Sequence, residues 1–476
     1  MAHHRLWIIT PLLLAAASGQ AHAQNEQRRI ERAVRTADPA ERKRVDSSLG
    51  ITERTTLDVG GYVSTSFIHL TDSADNSRRL IQPEVSLYGR AVIDGAHTFF
   101  GRARFQYRAF SEGDSFDGRG DRFAEPFVDR FWYEFDMRQA AAAYQGKTID
   151  GNLNLRVGRQ FVDWGSGLVL SENLYAFRPT IDFGRFSVDG IAGVTPGDES
   201  VTDFDASRGE FNEETWRGFF GGRFAYTTAA ADEFYAFYIA QVDYNGEGPS
   251  RPQLDEPVDH EYNSQYLGFG STGSFTDQLL YIGEFVYEFG DSRSDPLRGP
   301  QEHTRIGAWA ARGELTYLFA DDNNTRLEFE SIFASGDPDR LVSTDTIGGN
   351  APGTTDKGFN SLGFVNTGLA FAPSLSNIMT YRLGASTFPF VTIEGLEEFQ
   401  IGTDLFLLNK MDPRAPIDEP TSDDRFLGFE SDFYVNYRIT SDLAVNARYG
   451  VFFPSAAIET EKDVRHFVFL GVTLSF

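Results

Sequence analysis

The 476-residue chain contains no cysteine, which excludes disulfides and thiolate metal sites. Beyond its first residues it has no apolar run approaching the roughly 18 residues that a membrane-crossing helix needs. Positive charge is scarce: 43 Lys and Arg stand against 69 Asp and Glu, a formal net charge of −26. That balance removes nucleic acid as a partner. Histidine is sparse, and His260, His303 and His466 are scattered with no nucleophile placed beside them. There is no GxSxG, so no catalytic constellation stands out; the chain reads as no enzyme and as needing no cofactor. Glycine (46) and aromatic residues (14%) are plentiful, with 43 Phe against 5 Trp.

At the start, Arg5 opens a short basic region, Leu6 to Ala17 is an apolar run broken by Thr10 and Pro11, and Ala21-His22-Ala23 offers an A-x-A cleavage site. Residues 1–23 are expected to be a secretory signal peptide. Its removal would take away Arg5 and no acid. The charged stretch that follows, 24–56, is expected to be a periplasmic segment with one short helix. The chain ends in HFVFLGVTLSF, where Val468, Leu470, Val472, Leu474 and Phe476 share one strand face. Such a strand, closed by a terminal Phe, resembles the last strand of a bacterial outer-membrane barrel. In those folds the terminal aromatic is read by the barrel assembly machinery, an expected partner together with outer-membrane lipid and lipopolysaccharide.

Mean hydropathy is only −0.33, as alternating barrel strands produce. Period-2 segments of spanning length, about 9–11 residues or more, occupy 57–70, 79–94, 97–110, 126–138, 152–163, 182–193, 216–228, 232–245 and 262–274. They continue at 278–289, 304–319, 324–334, 378–387, 396–409, 425–439, 442–453 and 464–476. These number about 17, whereas single-chain bacterial barrels have even counts with short periplasmic turns and long external loops. The alternation of short and long connections breaks between 152–163 and 182–193. A crossing at 164–177, turning at Arg178-Pro179-Thr180, repairs it. Residues 57–476 are therefore expected to form an all-β, antiparallel transmembrane barrel of about 18 strands. The 139–151 connection is long for a periplasmic turn, and its alanine run predicts a helical turn. Segment 358–372 is read as part of a long loop folding inward.

A charge on the lipid face costs about 2–4 kcal/mol near the midplane, so the charged parity of each strand faces the lumen. In 97–110, Phe99, Phe105 and Tyr107 share one parity, and Arg102, Arg104, Gln106 and Arg108 the other. The same test puts Arg90, Arg156, Gln160, Arg223, Arg312, Arg382, Arg438 and Arg448 inside, with carboxylates interleaved. Most of these are expected to pair across strands. Arg102, Arg104 and Arg108, whose own strand offers no acid, are the candidates for a free positive constriction; rings of Arg select anions in pores. The acids concentrate in predicted external loops (197–215, 255–261 and 418–424). Asp198, Asp203 and Asp205 are candidate cation ligands there, although no regular Ca²⁺-loop spacing is present. One reading is a channel for an anionic polysaccharide or small sugar-like solute. The other is a structural or adhesive barrel, plugged inside, whose acidic loops bind cations or partners.

The stretch LRVGRQFVDWGSGLVLSENLYAFRPTIDFGRFSVDG (155–190), with FASGDPDR (333–340) and FLGFESDFYVNYRITSDLAVNARYGVFFP (426–454), resembles the alginate-export outer-membrane family. The resemblance implies an 18-stranded monomeric barrel with a positive lumen passing an anionic polysaccharide. It draws attention to Arg159, Gln160, Arg178, Asp189, Asp337, Arg438 and Arg448. By parity Arg159 faces lipid, so it must lie near a strand end or beside a bulge.

Overall fold

In the computed structural model, residues 45–476 are described apart from 47, 116–118, 206–210, 246–260, 294–302, 341–349 and 352. The expected signal peptide, residues 24–44 and the acidic run 255–260 lie outside the described residues. No helix among the described residues is long and apolar enough to cross a membrane.

The strands are β1 (Thr55–Thr71), β2 (Ser77–Ile93), β3 (His97–Phe110), β4 (Arg122–Ala124), β5 (Val128–Asp136), β6 (Gly151–Trp164), β7 (Leu170–Phe183), β8 (Phe186–Val194), β9 (Arg217–Thr227) and β10 (Glu233–Asp243). They continue as β11 (Glu261–Thr276), β12 (Leu279–Arg293), β13 (His303–Leu318), β14 (Arg326–Ala334), β15 (Ile378–Thr387), β16 (Phe399–Lys410), β17 (Phe426–Arg438), β18 (Leu443–Pro454) and β19 (Arg465–Ser475). Apart from β4 with β5, consecutive strands pair antiparallel, and β19 returns to β1. Because β4 and β5 both pair with β3, they are two pieces of one stave, and the barrel is closed by 18 strands. Closure leaves no terminal edge strand. At the join, Phe476 and Gly61 exchange both backbone hydrogen bonds at 2.9 Å.

The alternation predicted from sequence holds. Phe99, Phe105, Phe285, Leu383, Leu470 and Val472 are exposed on the outer face, as a lipid-facing surface requires. The expected helical turn is present as Met137–Ala140 and Ala141–Gln145, capped by the Asp136 side chain and ended by left-handed Gly146. The expected extra crossing exists but lies later in the chain. The strand is β7, the turn is Gly184-Arg185, and residues 165–169 form the connection on the long-loop side. The Arg178-Pro179-Thr180 stretch is not a turn. Pro179 sits inside β7 opposite Gly190, where a Cβ would come within 2.9 Å of the ring. The missing side chain makes room for the ring, and the β7–β8 ladder is unpaired between Phe177 and Thr180, where proline has no N–H to give.

Much of the interior toward the long loops is dry. Leu168, Val169, Phe359, Leu362 and Val365, from two inward-folded connections, bury themselves against Trp164, Phe237, Tyr266, Val286 and Ala308. Burial of apolar side chains at about 25 cal/mol per Å² makes this packing favourable.

Candidate solute pathway

Among the described residues, the 165–169 turn and the 353–373 segment meet inside the barrel. The 165–169 turn reaches from β6 across to β12 and β13. There Ser166 donates its N–H and hydroxyl to Glu284, both at 2.8 Å, and the Ser166 carbonyl accepts from Arg312 at 2.8 Å. The second segment, 353–373, starts against β13, where the Gly307 N–H donates to Asp356 O at 2.8 Å. It continues past β11 and β12: the Asn360 N–H donates to Glu288 at 3.0 Å, and the Tyr266 hydroxyl donates to Asn360 O at 2.6 Å. Midway it meets the inward turn, with Phe364 N donating to Gly167 O and Ser171 N to Leu362 O, both at 2.8 Å. Its far end docks at Glu430 of β17, and Leu369 inserts among Ile68, Leu70, Leu80 and Phe467 of β1, β2 and β19. The segment is therefore a strap running from one side of the ring of strands to the other. Its near root is held by Arg340 paired with Asp356, and by Asp337, which accepts the N–H of Lys357 at 3.2 Å. The expectation that this long loop folds inward is met for its described part.

The strap and turn cover the acid-rich wall. On β13–β16, Arg312 binds Glu330 at 2.6 Å and Glu314 at 2.8 Å, and Arg382 binds Glu330 at 2.8 Å, Glu328 at 3.0 Å and Asp404 at 2.8 Å. Both arginine side chains are only 6% exposed. They are structural clamps, and a solute does not reach them.

The opposite wall, β2 to β6, is open and basic. Arg102, Arg104 and Arg156 keep 21%, 28% and 27% of their side-chain surface exposed, which leaves them within reach of a passing solute. Arg90, Arg108, Arg122 and Arg130 stand on the same wall, which carries Glu84, Asp129 and Glu134 as counter-charges. The expectation of a free Arg102 is corrected. Asp129 holds it through both carboxylate oxygens, with Nε at 2.9 Å, and also lies 4.0 Å from Arg104. The acid comes from the next strand, through a bulge: Arg102 and Ala103 face Arg130 and Val128, so Asp129 is the extra residue and is re-aimed inward. Arg156 pairs with Glu134 at 2.7 Å and lies 4.3 Å from the Trp132 ring. Arg130 on β5 was absent from the candidates drawn from sequence. It lies 5.6 Å from the Phe161 ring, and its Nε is buried without a hydrogen bond. Its shared parity with Trp132 and Glu134 was the signal available for it.

The remaining candidates are placed as follows. Arg223 is held between Asp189 at 3.5 Å and Glu233, and lies 4.3 Å from the Tyr235 ring. Gln160 donates to Ala176 O at 3.0 Å. Arg438 sits exposed at the short-turn end, 3.4 Å from Glu398. Arg448 lies on β18 between Tyr434 and Phe469 of its neighbours. Arg178 lies 5.9 Å from the Trp164 ring.

Arg159 marks a seam. The β5–β6 pairing stops at Phe131 and Arg159, and above it β6 pairs only with β7. The connection after β8 closes the gap. Asp198 accepts from Arg159 at 2.7 Å, and Glu199 accepts from Arg122 at 2.8 Å, from Arg119 at 3.0 Å and from the Glu125 N–H at 2.8 Å. Asp203 is likewise occupied, by Arg217 at 2.8 Å. Asp198 and Asp203, candidate cation ligands from sequence, thus serve as arginine clamps, and Asp205 is buried next to Asp203, donating its N–H to it at 2.9 Å. No group of three or more metal-ligating side chains occurs among the described residues.

Burial pushes the Asp198 and Glu199 carboxyls up. Hydrogen bonds from Arg159 and Ser200 on the first, and from Arg122 and the Glu125 N–H on the second, outweigh it, so both titrate below the ordinary range. A carboxyl depressed in the folded state stabilises above its unfolded value, and the contribution is lost as pH falls through the folded one. Protection of the 195–205 amides, measured as exchange relative to the intrinsic rate at each pH, is therefore expected to stay flat above about pH 5 and to fall below about pH 4. Protection that is indifferent to acid would remove the clamp.

A family model described as alginate export matches residues 129–469. No curated protein matches the sequence. Among solved structures, Pseudomonas aeruginosa OccK8 (OprE) aligns with a TM-score of 0.53 at 12% identity, over 88% of this chain and 98% of its own. Acinetobacter baumannii OccAB3 aligns at 0.51 and 12%, over 88% and 99%. Pseudomonas aeruginosa OccK2 (OpdF), in complex with glucuronate, aligns at 0.50 and 11%, over 88% and 98%. At these identities the likeness is one of fold.

Proposed function

The chain belongs to the alginate-export family and is an outer-membrane channel; from that premise we propose that it passes an anionic, alginate-like polysaccharide or a smaller sugar acid along the basic wall of β2–β6. The observation that carries this reading is the asymmetry of the lumen. The acid-rich wall is sealed under the strap and the 165–169 turn, and the partly exposed guanidiniums of Arg102, Arg104 and Arg156 face the space that remains. Guanidiniums spaced along a wall exchange a carboxylate from one to the next, each holding it weakly enough to release it. A planar guanidinium fork matches a carboxylate's two oxygens. The glucuronate bound by OccK2 is a solute of this class. The barrel acts as a monomer in this reading, held in lipid and lipopolysaccharide by its outer face.

Planar-bilayer recording tests the reading. Oligo-uronates added to an anion-selective open channel are expected to interrupt the current, and neutral oligosaccharides of equal length to interrupt it far less. Equal interruption by both would sink the proposal. The dry packing around the strap favours a second reading, a plugged barrel acting through its external loops. A reconstituted protein with no conductance would put that reading first.

A further inference from the structure

We propose that Glu430 is the positioning residue of the constriction: it holds the far end of the strap and so sets the bore left beside the basic wall. This rests on the channel reading, since a bore matters only in an open pathway.

Glu430 lies on β17 and is completely buried. It gathers three successive backbone N–H groups, Leu369 and Ala370 at 2.6 Å and Phe371 at 2.9 Å. The strap turns onto it at Gly368, whose φ of +118° is open to glycine and where a Cβ would stand 2.7 Å from the Glu430 carboxylate. Consecutive N–H groups aimed at one point form an anion-binding concavity, filled here by a side chain of the barrel wall. The geometry explains why irregular backbone is stable so far inside. Its donors lack a ladder partner, and a buried N–H without an acceptor is costly. Apolar insertion adds to the hold: Leu369 packs among Ile68, Leu70 and Phe467. That contact is non-directional, so it keeps the strap near the wall without fixing its height. The carboxylate supplies direction.

Three acceptor contacts at one residue make the strap's position depend on a group that touches no solute. Removing the acceptor leaves three N–H groups in a dry place, and the strap must lift toward water to satisfy them. Its lifting widens the lumen beside β1 and β2, where Leu369 packs, without altering the charge of Arg102 and Arg104.

The test uses the full-length protein in planar bilayers. Glu430→Ala is expected to raise single-channel conductance by roughly twofold or more while leaving the reversal potential in a salt gradient near the wild-type value, because the basic wall is untouched. Glu430→Gln, which keeps one acceptor oxygen, should fall between the two, and it carries the test should Glu430→Ala not assemble. A redox rescue separates positioning from loosened folding. The chain has no cysteine, and a Cβ at Gly450 would lie 2.8 Å from that of Leu369 and 2.7 Å from the Asp432 carboxylate, which has to swing aside. Leu369→Cys with Gly450→Cys in the Glu430→Ala background therefore brings two thiols together, a small shift short of the Cβ separation of about 3.5–4.5 Å that a disulfide prefers. Oxidation should restore wild-type conductance and reduction should release it again. Conductance unchanged by Glu430→Ala and Glu430→Gln, and indifferent to the disulfide, overturns the positioning role while leaving the channel reading in place. Variants that fail to conduct beside a conducting wild type overturn the positioning role alone; a wild type that does not conduct overturns both.

Discussion

Replacing Arg102, Arg104 and Arg130 together with Gln is expected to lower the anion-to-cation permeability ratio about tenfold, since a charged, low-dielectric cleft concentrates counter-ions by that order or more. The three guanidiniums act on one patch. Arg102 and Arg104 lie on adjacent inward positions of β3, and Arg130 stands directly across from Arg102 on β5. Asp129 neutralises part of this charge, chiefly through Arg102. Once Arg102 is gone, Asp129 is left as a bare carboxylate among the residues that face the pathway, so the variant loses positive charge and uncovers negative charge together. Asp129→Asn should move selectivity the opposite way. Reversal potentials in a salt gradient measure both. The pair of opposite shifts is the signature, because a general loss of structure would move both variants in the same direction. Reversal potentials that match the wild type in both would take the β3–β5 patch out of the pathway.

How far these features were legible in the sequence depends on the range of the interaction. Parity is local, and it sorted Phe99 and Phe105 to lipid and Arg102 to Arg108 to the lumen. It also supplied the missing crossing, by loop alternation. Proline chemistry misled the placement of that crossing, because Pro179 read as a turn residue and its tolerance in β7 rests on Gly190 of the next strand. The free state assigned to Arg102 failed for a similar reason. The acid that holds it is the extra residue of a bulge, which turns the adjacent Asp129 and Arg130 both inward and so breaks the strict alternation that the parity test assumes. Arg159 broke parity because the wall is open beside it and a loop acid fills the opening. The strap lay furthest from reach. Its anchors Glu288 and Glu430 are 72 and 61 residues away from the N–H groups they accept, and only the closed barrel brings them to one chord.

The sealed wall carries the largest expected effect on stability. Arg382→Met should destabilise the barrel by about 3–5 kcal/mol, the usual consequence of removing one member of a buried ionic group. Arg382 binds Glu330, Glu328 and Asp404. Without it three carboxylates share the interior with Arg312, which already binds Glu330 and Glu314. Desolvated like charges repel strongly where the dielectric is low. Arg382→Lys keeps the charge but not the fork that reaches three partners, so it should recover only part of the loss. Adding Glu328→Gln and Asp404→Asn to Arg382→Met should recover more, because it removes the uncompensated charges instead of replacing the cation. Arg104→Gln provides the contrast, since its partner is 4.0 Å away and the side chain is partly exposed; such a pair contributes about 0–1 kcal/mol. Denaturant midpoints of the barrel in liposomes measure all four. Equal midpoints for Arg382→Met and Arg104→Gln would mean that water reaches the β13–β16 cluster. The acid-rich wall would then belong to the pathway, and the anionic solute would have to give way to one that tolerates carboxylates on its route.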